Sequence, residues 1–148
     1  QFADSFIMRY YSRRRMLTAE AEGRMAAMLH LLPFRTELGR TTYIYGVATD
    51  PAFRGRGLAS QLMREAMRLI AERGDDAALL IPTPGKEWLR EFYGRFGFAG
   101  DVPARFVSAD RFDFGTGDPA HDRAMVLPLT GEPFAGETLD LSDLPQES

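Results

Sequence analysis

The sequence VATDPAFRGRGLAS, residues 47–60, decides the fold of this chain. Before it, residues 41–49 are rich in β-branched and aromatic side chains, a composition typical of a strand. After it, apolar side chains recur at helical spacing from Leu58 until Gly74, a residue suited to end a helix. The stretch therefore predicts a strand, a glycine-rich turn and a long helix in direct succession.

The glycine-rich turn has the chemistry of a phosphate-binding site. Backbone amides in the first turn of a helix have no acceptor within the helix, and the positive end of the helix dipole lies there. Gly55 and Gly57 allow a phosphate to approach these amides, and Arg54 and Arg56 add positive charge. The Gly-Lys-Ser/Thr sequence of a triphosphate-binding loop is absent, and a dinucleotide-binding fingerprint is matched only in part, because Ser60 replaces its last small residue. A glycine-rich turn that binds no ligand is the structural alternative.

Apolar periodicity and breaker residues predict the other elements. The first predicted element is a helix over residues 3–13, with Asp4 or Ser5 as its N-cap. Between this helix and the glycine-rich turn, the predicted elements are strands over residues 16–22 and 24–32, a loop over residues 33–40 and the strand over residues 41–49. Helix competes with strand over residues 24–32, because Met, Ala and Leu are good helix formers. After the long helix, they are a strand over residues 77–81, a helix over residues 86–96, strands over residues 98–102 and 124–129, and an irregular segment over residues 105–123. Residues 130–148 are acidic, contain Gly and Pro, and are expected to form a loosely held tail.

Composition limits the classes of protein to which the chain can belong. With 148 residues and 45% hydrophobic side chains, it fits one folded domain. The sequence contains no cysteine, which excludes a disulfide scaffold, a zinc–thiolate site and a thiol nucleophile, and it contains no apolar run long enough to span a membrane. The net charge of −3 argues against a nucleic-acid partner. Residues 1–74 hold 12 Arg against 7 acidic residues, which suits a phosphorylated cofactor. Residues 75–148 hold 6 basic and 14 acidic residues, which suits a cationic substrate or a solvated surface.

Two motifs together resemble the GNAT superfamily of N-acyltransferases. Arg54, Gly57 and Ala59 match the Gln/Arg-x-x-Gly-x-Gly/Ala signature of the loop that binds the acyl-CoA pyrophosphate in that family. FYGRFGF, residues 92–98, matches the family's Phe/Leu-Tyr-x-x-x-Gly-Phe motif. The motifs occur in the family's order, 39 residues apart from Arg54 to Tyr93, with a helix and a strand predicted between them. Both motifs in this order are far more specific than either alone.

The resemblance implies a GNAT-like fold of the α/β (α+β) class. Its central sheet would be mixed and mostly antiparallel, flanked by helices, with a splay between the strand at residues 41–49 and the strand at residues 77–82. The resemblance is close over residues 41–98, looser over residues 15–32 and weak over residues 99–148. Because the family's first strand is not evident, we expect a chain trimmed at its N-terminus. Residues 1–148 are expected to form a single acetyltransferase domain with an acidic tail at residues 130–148.

The resemblance also implies a cofactor site and a catalytic residue. Backbone groups of Val47, Ala48 and Thr49 would pair with the pantetheine arm as an additional strand. A break at Gly46 would leave these groups unpaired in the free protein, which is costly. The pyrophosphate would be held by Gly55, Arg56, Gly57, Leu58, Ala59 and Ser60. Tyr93 would protonate the departing thiolate, because a phenol with a pKa near ~10 can donate to a thiolate whose thiol has a pKa near ~8.5. Helical spacing alone favours a core aromatic at Tyr93, and the Phe-Tyr-x-x-x-Gly-Phe context reverses that preference.

The general base that takes the proton of the acceptor amine is left open by the sequence. The candidates are Glu20, Glu22, His30, Asp110, Asp113 and His121. A relay through water would need none of them. Lys86 stands seven residues before Tyr93, at a position where the family often has Asn. The contacts that this Asn makes with the cofactor in the family are therefore left open for this chain.

These observations predict an N-acetyltransferase that transfers an acetyl group from acetyl-CoA to a primary amine, by direct transfer in a ternary complex. The substrate would be a small molecule or a peptide. We expect a cytoplasmic protein with no metal, no nucleic-acid partner and no membrane partner; a homodimer is left open. The alternatives are a non-catalytic acyl-CoA-binding or regulatory module on the same scaffold, favoured by Lys86 and the unassigned base, and, more weakly, a nucleotide-dependent oxidoreductase.

Overall fold

The computed structural model describes residues 6–107 and 120–144. The elements in these ranges are β1 (Ile7–Tyr11), β2 (Met16–Ala21), β3 (Arg24–Thr36), β4 (Gly39–Thr49), a 3-10 turn (Pro51–Phe53), α1 (Leu58–Arg73), β5 (Ala77–Leu80), α2 (Glu87–Gly94), β6 (Ala99–Phe106), β7 (Arg123–Pro128) and β8 (Leu139–Leu141). The hydrogen-bonded order of the strands is β1-β2-β3-β4-β5-β7-β6-β8. β4 and β5, and β6 and β8, pair in parallel, whereas β1–β2, β2–β3, β5–β7 and β6–β7 are antiparallel. The predicted mixed, mostly antiparallel sheet is confirmed.

The chain divides into two compact units, of which the first contains residues 1–32 and 44–73. In this unit α1 packs against β2. β2 is buried throughout except at the half-buried Glu20. In β3, residues 27–31 alternate between buried and half-buried, because successive side chains of a strand point to opposite faces. α1 buries one stripe, which consists of Leu58, Leu62, Met63, Ala66 and Ile70. The predicted amphipathic helix after the glycine-rich turn is confirmed.

The second unit contains residues 33–43 and the chain from Gly74 onward. All four residues of β5 are buried, and the strand lies inside the sheet, with β4 paired to one of its edges and β7 to the other. Beside these strands, the rings of Phe34, Tyr43 and Phe106 form a cluster with centroid separations of 5.7 to 6.2 Å. The single domain expected for residues 1–148 stays a prediction.

The pairing of β4 with β5 is short. Its parallel register joins Thr41–Tyr43 to Ala77–Leu79, although β4 continues to Thr49. The start of this register is held by Asp76, whose carboxylate accepts a hydrogen bond from the amide of Arg40 at 2.9 Å and whose own amide donates to the Arg40 carbonyl at 2.8 Å. The register therefore ends where the splay of the two strands is predicted.

The N-terminal helix predicted over residues 3–13 is wrong, because Ile7–Tyr11 forms β1. β1 and β2 form an antiparallel hairpin that brings distant polar groups together. Arg9 Nε and the Tyr11 hydroxyl donate to the Glu20 carboxylate at 3.0 and 2.8 Å. These contacts, together with β-branched and aromatic residues, favour the strand over the helix.

The loop predicted over residues 33–40 is also wrong, and so is the helical alternative for residues 24–32. β3 continues through Pro33 to Thr36. The last residue of β3 that pairs with β2 is His30, so Pro33 lies beyond that ladder and its missing N–H breaks no bond to β2. The predicted caps Asp4 and Ser5, and residues 108–119 of the predicted irregular segment, lie outside the described residues.

The loosely held tail predicted from residue 130 is wrong for β8. β8 pairs in parallel with the end of β6, and its Leu139 and Leu141 are fully buried. Between them, Asp140 accepts two hydrogen bonds from the Arg105 guanidinium, at 2.8 and 2.9 Å. Two leucines in a short alternating segment thus tie this part of the tail to the second unit.

Candidate functional site

Asp50 fixes the turn that follows β4. Its carboxylate accepts a hydrogen bond from the Ala52 amide at 2.8 Å and another from Arg24 at 3.2 Å. The Asp50 amide donates to the Ala26 carbonyl of β3 at 2.8 Å. The Ala52 amide and, after it, the Arg24 guanidinium hold the pKa of Asp50 below its usual value. The chain therefore leaves β4 in a defined direction.

Phe53 anchors the loop to the first unit. Its ring is buried and meets Phe6 edge to face, with 5.8 Å between centroids. The guanidinium carbons of Arg24 and Arg56 lie 5.1 and 5.4 Å from the Phe53 centroid, a distance at which a cation interacts with the face of a ring. The sequence analysis missed these roles of Phe53 and Asp50. The Asp-Pro-Ala sequence was a local signal for the role of Asp50, whereas the ring contacts of Phe53 depend on the fold.

The two glycines of the loop adopt a backbone conformation that disfavours other residues. Gly55 has φ +78 and Gly57 has φ +73, and a Cβ placed at either would meet no atom of the described residues within 4 Å. The Gly57 carbonyl accepts the first hydrogen bond of α1, from the Gln61 amide at 3.1 Å. The amides of the next residues, Leu58, Ala59 and Ser60, therefore lie in the first turn, where a helix supplies no acceptor. This loop can bind an anion through its backbone, with open space beside both glycines and the exposed cations Arg54 and Arg56.

Val47, Ala48 and Thr49 lie at the end of β4, immediately before this loop and in the same unit. Ala48 is exposed and its two neighbours are half-buried. Gly46 precedes them with φ +68, a left-handed conformation within a strand. The structure thus brings the predicted pantetheine and pyrophosphate residues together in one continuous segment, and their roles stay predictions.

Tyr93 lies on α2, in the second unit. Its side chain is 8% exposed, and burial raises its pKa above that of an ordinary phenol. Within the part of the chain that the structure describes, its hydroxyl has no hydrogen-bond partner. A phenol with a raised pKa holds its proton at neutral pH. Lys86, at the start of α2, is exposed and makes no side-chain capping bond.

Of the four carboxylates among the base candidates, one already accepts hydrogen bonds, one is exposed and two lie outside the described residues. Glu20 accepts hydrogen bonds from Arg9, Tyr11 and Thr18, and the Tyr11 hydroxyl is the main cause of its lowered pKa. Glu22 is exposed in the turn between β2 and β3, with φ +54. Asp110 and Asp113 lie outside the described residues.

The two histidines differ in their surroundings. His121 is exposed, two residues before β7. His30 is half-buried on β3, and its ring lies 6.2 Å from that of Tyr45. Its Nδ1 is buried and has no hydrogen-bond partner among the residues that the structure describes. Gly46 faces this nitrogen, since a Cβ there would lie 3.5 Å from Nδ1. Sequence reasoning gave His30 no preference over the other candidates.

Residues 6–107 and 120–144 contain neither a metal-binding group nor a membrane-spanning helix. No three His, Asp or Glu residues in these ranges are grouped so that they could hold a metal ion. No helix in them has the length and apolar character needed to cross a membrane.

The family model described as an acetyltransferase (GNAT) domain matches residues 2–100 of this chain. The chain belongs to the GNAT acetyltransferase family. The match contains both the glycine-rich loop and Tyr93, so the G-x-G turn belongs to this family and the oxidoreductase interpretation is dropped. No curated protein matches the chain.

Solved structures of similar fold come from several bacteria. A GNAT family N-acetyltransferase from Escherichia coli in complex with CoA shares 22% identity over 87% of this chain and 66% of its own, with a TM-score of 0.61. A GNAT family acetyltransferase from Brucella melitensis in complex with acetyl-CoA shares 17% over 86% of this chain and 67% of its own, with a TM-score of 0.56. An acyl-CoA N-acyltransferase from Pseudomonas aeruginosa shares 27% over 76% of this chain and 66% of its own, with a TM-score of 0.53. The chain thus spans about two thirds of the length of these relatives.

Proposed function

We propose that this protein is an acetyl-CoA-dependent N-acetyltransferase whose acceptor is a primary amine on a small molecule or a peptide. The observation that carries the proposal is the loop from Asp50 to the first turn of α1. It combines two glycines at positive φ, open space beside both and exposed cations. Family membership and the CoA or acetyl-CoA complexes of proteins with this fold support the same ligand.

In the proposed complex, the chain binds the cofactor through its backbone. The amides of Gly55–Ser60 would hold the pyrophosphate, and the edge of β4 at Val47–Thr49 would pair with the pantetheine arm. Acetyl-CoA supplies a thioester whose carbonyl carbon accepts an amine. Because the chain has no cysteine, no thiol can carry the acetyl group, and direct transfer in a ternary complex is the simplest reaction.

Tyr93 would act as the general acid. Transfer breaks the bond between the carbonyl carbon and sulfur, and the departing thiolate needs a proton. The raised pKa of Tyr93 keeps the phenol protonated until that charge develops. A cytoplasmic location and the absence of nucleic-acid and membrane partners remain part of the proposal, as predicted from the sequence.

Thermal unfolding with acetyl-CoA, and separately with NAD, tests the binding step. A ligand that binds only the folded state at ~100 times its Kd adds ~2.7 kcal/mol of stability. We expect acetyl-CoA to raise the Tm and NAD to leave it unchanged. No rise with acetyl-CoA would refute the proposal.

A non-catalytic acyl-CoA-binding module is the second candidate, favoured by Lys86 at the position of the family's frequent Asn and by the engagement of Glu20. Release of free CoA thiol in the presence of a panel of primary amines separates the two. An enzyme releases thiol faster with at least one amine than without any. A protein that is stabilised by acetyl-CoA but releases no thiol with any amine is a binding module.

A further inference from the structure

A cavity of about 520 Å³ opens at the tip of the β1–β2 hairpin, in the first unit. Its volume lies within the ~300–1,000 Å³ that is usual for small-molecule sites. Neither the glycine-rich loop nor Tyr93 contributes to its wall. The wall combines aromatic rings, thioethers and guanidinium groups, from Tyr10, Tyr11, Arg13, Arg14, Met16 and Met25.

The turn that carries the two arginines has a fixed backbone. The Arg15 amide donates a hydrogen bond to the Ser12 carbonyl at 3.3 Å, which closes the turn. The Arg15 carbonyl accepts a second one from the Leu31 amide of β3 at 2.8 Å, which ties the turn to the sheet. Arg13 and Arg14 therefore leave the backbone at defined positions, and a ligand does not have to order the turn when it binds.

Arg13 and Arg14 supply positive charge that no carboxylate of the described residues neutralises. Both are exposed, and neither makes an ion pair or a side-chain hydrogen bond within residues 6–107 and 120–144. Glu20 is the only acidic residue of the hairpin, and its carboxylate is engaged by Arg9 Nε at 3.0 Å. A guanidinium group offers parallel N–H donors that match two oxygens of a carboxylate or a phosphate. The pair of arginines is thus suited to an anion.

The tyrosines and methionines supply an apolar surface beside these charges. Tyr11 lies opposite Met16 in the β1–β2 register, so the two side chains share one face of the hairpin. The Tyr11 hydroxyl donates to Glu20 at 2.8 Å, which fixes the position of the ring. Tyr10 and Met25 are 36% and 42% exposed, so part of their apolar surface faces water. Rings and thioethers of this kind pack well against another aromatic ring.

β1 separates this cavity from the glycine-rich loop. Phe6, directly before β1, meets Phe53 of the loop with 5.8 Å between ring centroids. The five residues of β1 then rise by ~3.4 Å each, so the turn after Tyr11 lies on the order of 15 Å from that contact. The arginines of the turn are therefore a different group of cations from Arg54 and Arg56 of the loop.

We propose that this cavity is a second ligand site of the protein, separate from the acetyl-CoA site. Its ligand is a small molecule with an aromatic ring and an anionic head group, which is a carboxylate or a phosphate. The ring packs on the tyrosine and methionine side chains, and the head group accepts hydrogen bonds from Arg13 and Arg14. All the residues of the site belong to the first unit.

NMR titrations with matched probes test the proposal. Benzoate and phenyl phosphate carry the ring and an anionic head group, benzamide has the shape of benzoate without its charge, and acetate has the charge without the ring. We expect both aromatic anions to bind with a Kd of ~1 mM or lower, an affinity usual for such small ligands, and to shift the amide resonances of Ser12–Arg15. Benzamide and acetate should bind at least ~10-fold more weakly, because each lacks one of the two contacts. The lower of the two anion Kd values identifies the head group as a carboxylate or a phosphate.

Replacing the guanidinium groups tests the contact with the anion. Arg13→Gln and Arg14→Gln, each made alone, should raise the Kd of the tighter anion by ~10-fold or more, because each removes charged hydrogen bonds. Neither side chain has a partner in the described residues, so the Tm without ligand should stay at the wild-type value. Arg64→Gln is the matched control, since Arg64 is exposed on α1 of the same unit, and it should keep the wild-type Kd.

Several results would overturn the second site. A wild-type Kd in both arginine variants, or benzamide bound as tightly as benzoate, shows that these guanidinium groups hold no anion. If neither aromatic anion shifts the resonances of Ser12–Arg15, the cavity does not take a ligand of this class. If saturating acetyl-CoA raises the Kd of the anion, the probe occupies the acetyl-CoA site instead. The proposed acetyltransferase function is tested separately, by thermal unfolding with acetyl-CoA, and none of these results bears on it.

Discussion

Replacing Gly57 by glutamate places a negative charge where the pyrophosphate is expected. A Cβ at Gly57 meets no atom of the described residues within 4 Å, so the substitution causes no clash with them at Cβ. The substitution is nevertheless strained, because φ is +73 and an L-residue in the left-handed region costs roughly 1–2 kcal/mol. We expect a folded variant with a lower free energy of unfolding and a weakened affinity for acetyl-CoA.

The affinity loss follows from the distance between like charges. Two unit charges ~4 Å apart repel by ~1 kcal/mol in bulk water and by ~4 kcal/mol at the effective dielectric of a protein surface. These energies correspond to a rise in Kd between about 5-fold and about 10³-fold. Gly57→Ala carries the strain without the charge, so it separates the two effects and should bind much more tightly than Gly57→Glu.

Gly74 provides a matched control. It has the same φ of +73, it has the same open space for a Cβ, and it follows α1 instead of preceding it. Isothermal titration calorimetry with acetyl-CoA should give a wild-type Kd for Gly74→Glu, although its thermal stability also falls. A wild-type Kd for Gly57→Glu, or an equal loss in Gly74→Glu, would show that the loop does not hold the phosphates.

Three further predictions concern Tyr93 and the tail. Tyr93→Phe should lower kcat by ~10²–10⁴-fold in the thiol-release assay and leave the calorimetric Kd of acetyl-CoA unchanged, because it removes only the donated proton; an unchanged kcat would exclude Tyr93 as the acid. Leu141→Ala should lower the free energy of unfolding in urea by ~2–5 kcal/mol, since the leucine is fully buried in β8; a loss near zero would mean that the tail is not docked in solution. In the folded protein, the Arg105 guanidinium holds the pKa of Asp140 below its ordinary value. At pH values above the pKa that Asp140 has in the unfolded chain, the ionised carboxylate therefore stabilises the fold. This stability is lost as the pH falls through the lower pKa of the folded protein. Asp140→Asn should therefore be less stable than the wild type at neutral pH and equal to it in strong acid, as measured by urea unfolding. If the difference in the free energy of unfolding between the two proteins does not change with pH, the ion pair is contradicted.

The elements that were predicted correctly have their causes close together in the chain. The long helix follows from one apolar stripe closed by Gly74, and β4 follows from the β-branched and aromatic residues 41–49. The loop between them follows from glycines and the helix start. A local pattern is sufficient where the residues that satisfy it are neighbours in sequence.

The elements that were predicted wrongly depend on distant partners. The apolar residues before Tyr11 fit helical spacing, and only the pairing with β2 makes them a strand. Pro33 normally ends a strand, and it is tolerated here because the β2 ladder stops at His30. β8 contains three residues in an acidic segment and is ordered by the Arg105 guanidinium and by burial of its two leucines.

In the candidate site, too, one part could be predicted from neighbouring residues and another part depends on distant ones. A loop that binds phosphate is recognised by the groups that it contains, and those groups are contiguous. The surroundings of a histidine, in contrast, are set by residues that are distant in the sequence. His30 stands among Leu29 and Leu31, both fully buried, where a sequence favours a core histidine with satisfied nitrogens. Gly46, 16 positions further along the chain, faces His30 Nδ1 without a side chain that could bond to it, so this buried nitrogen has no hydrogen-bond partner in the described residues.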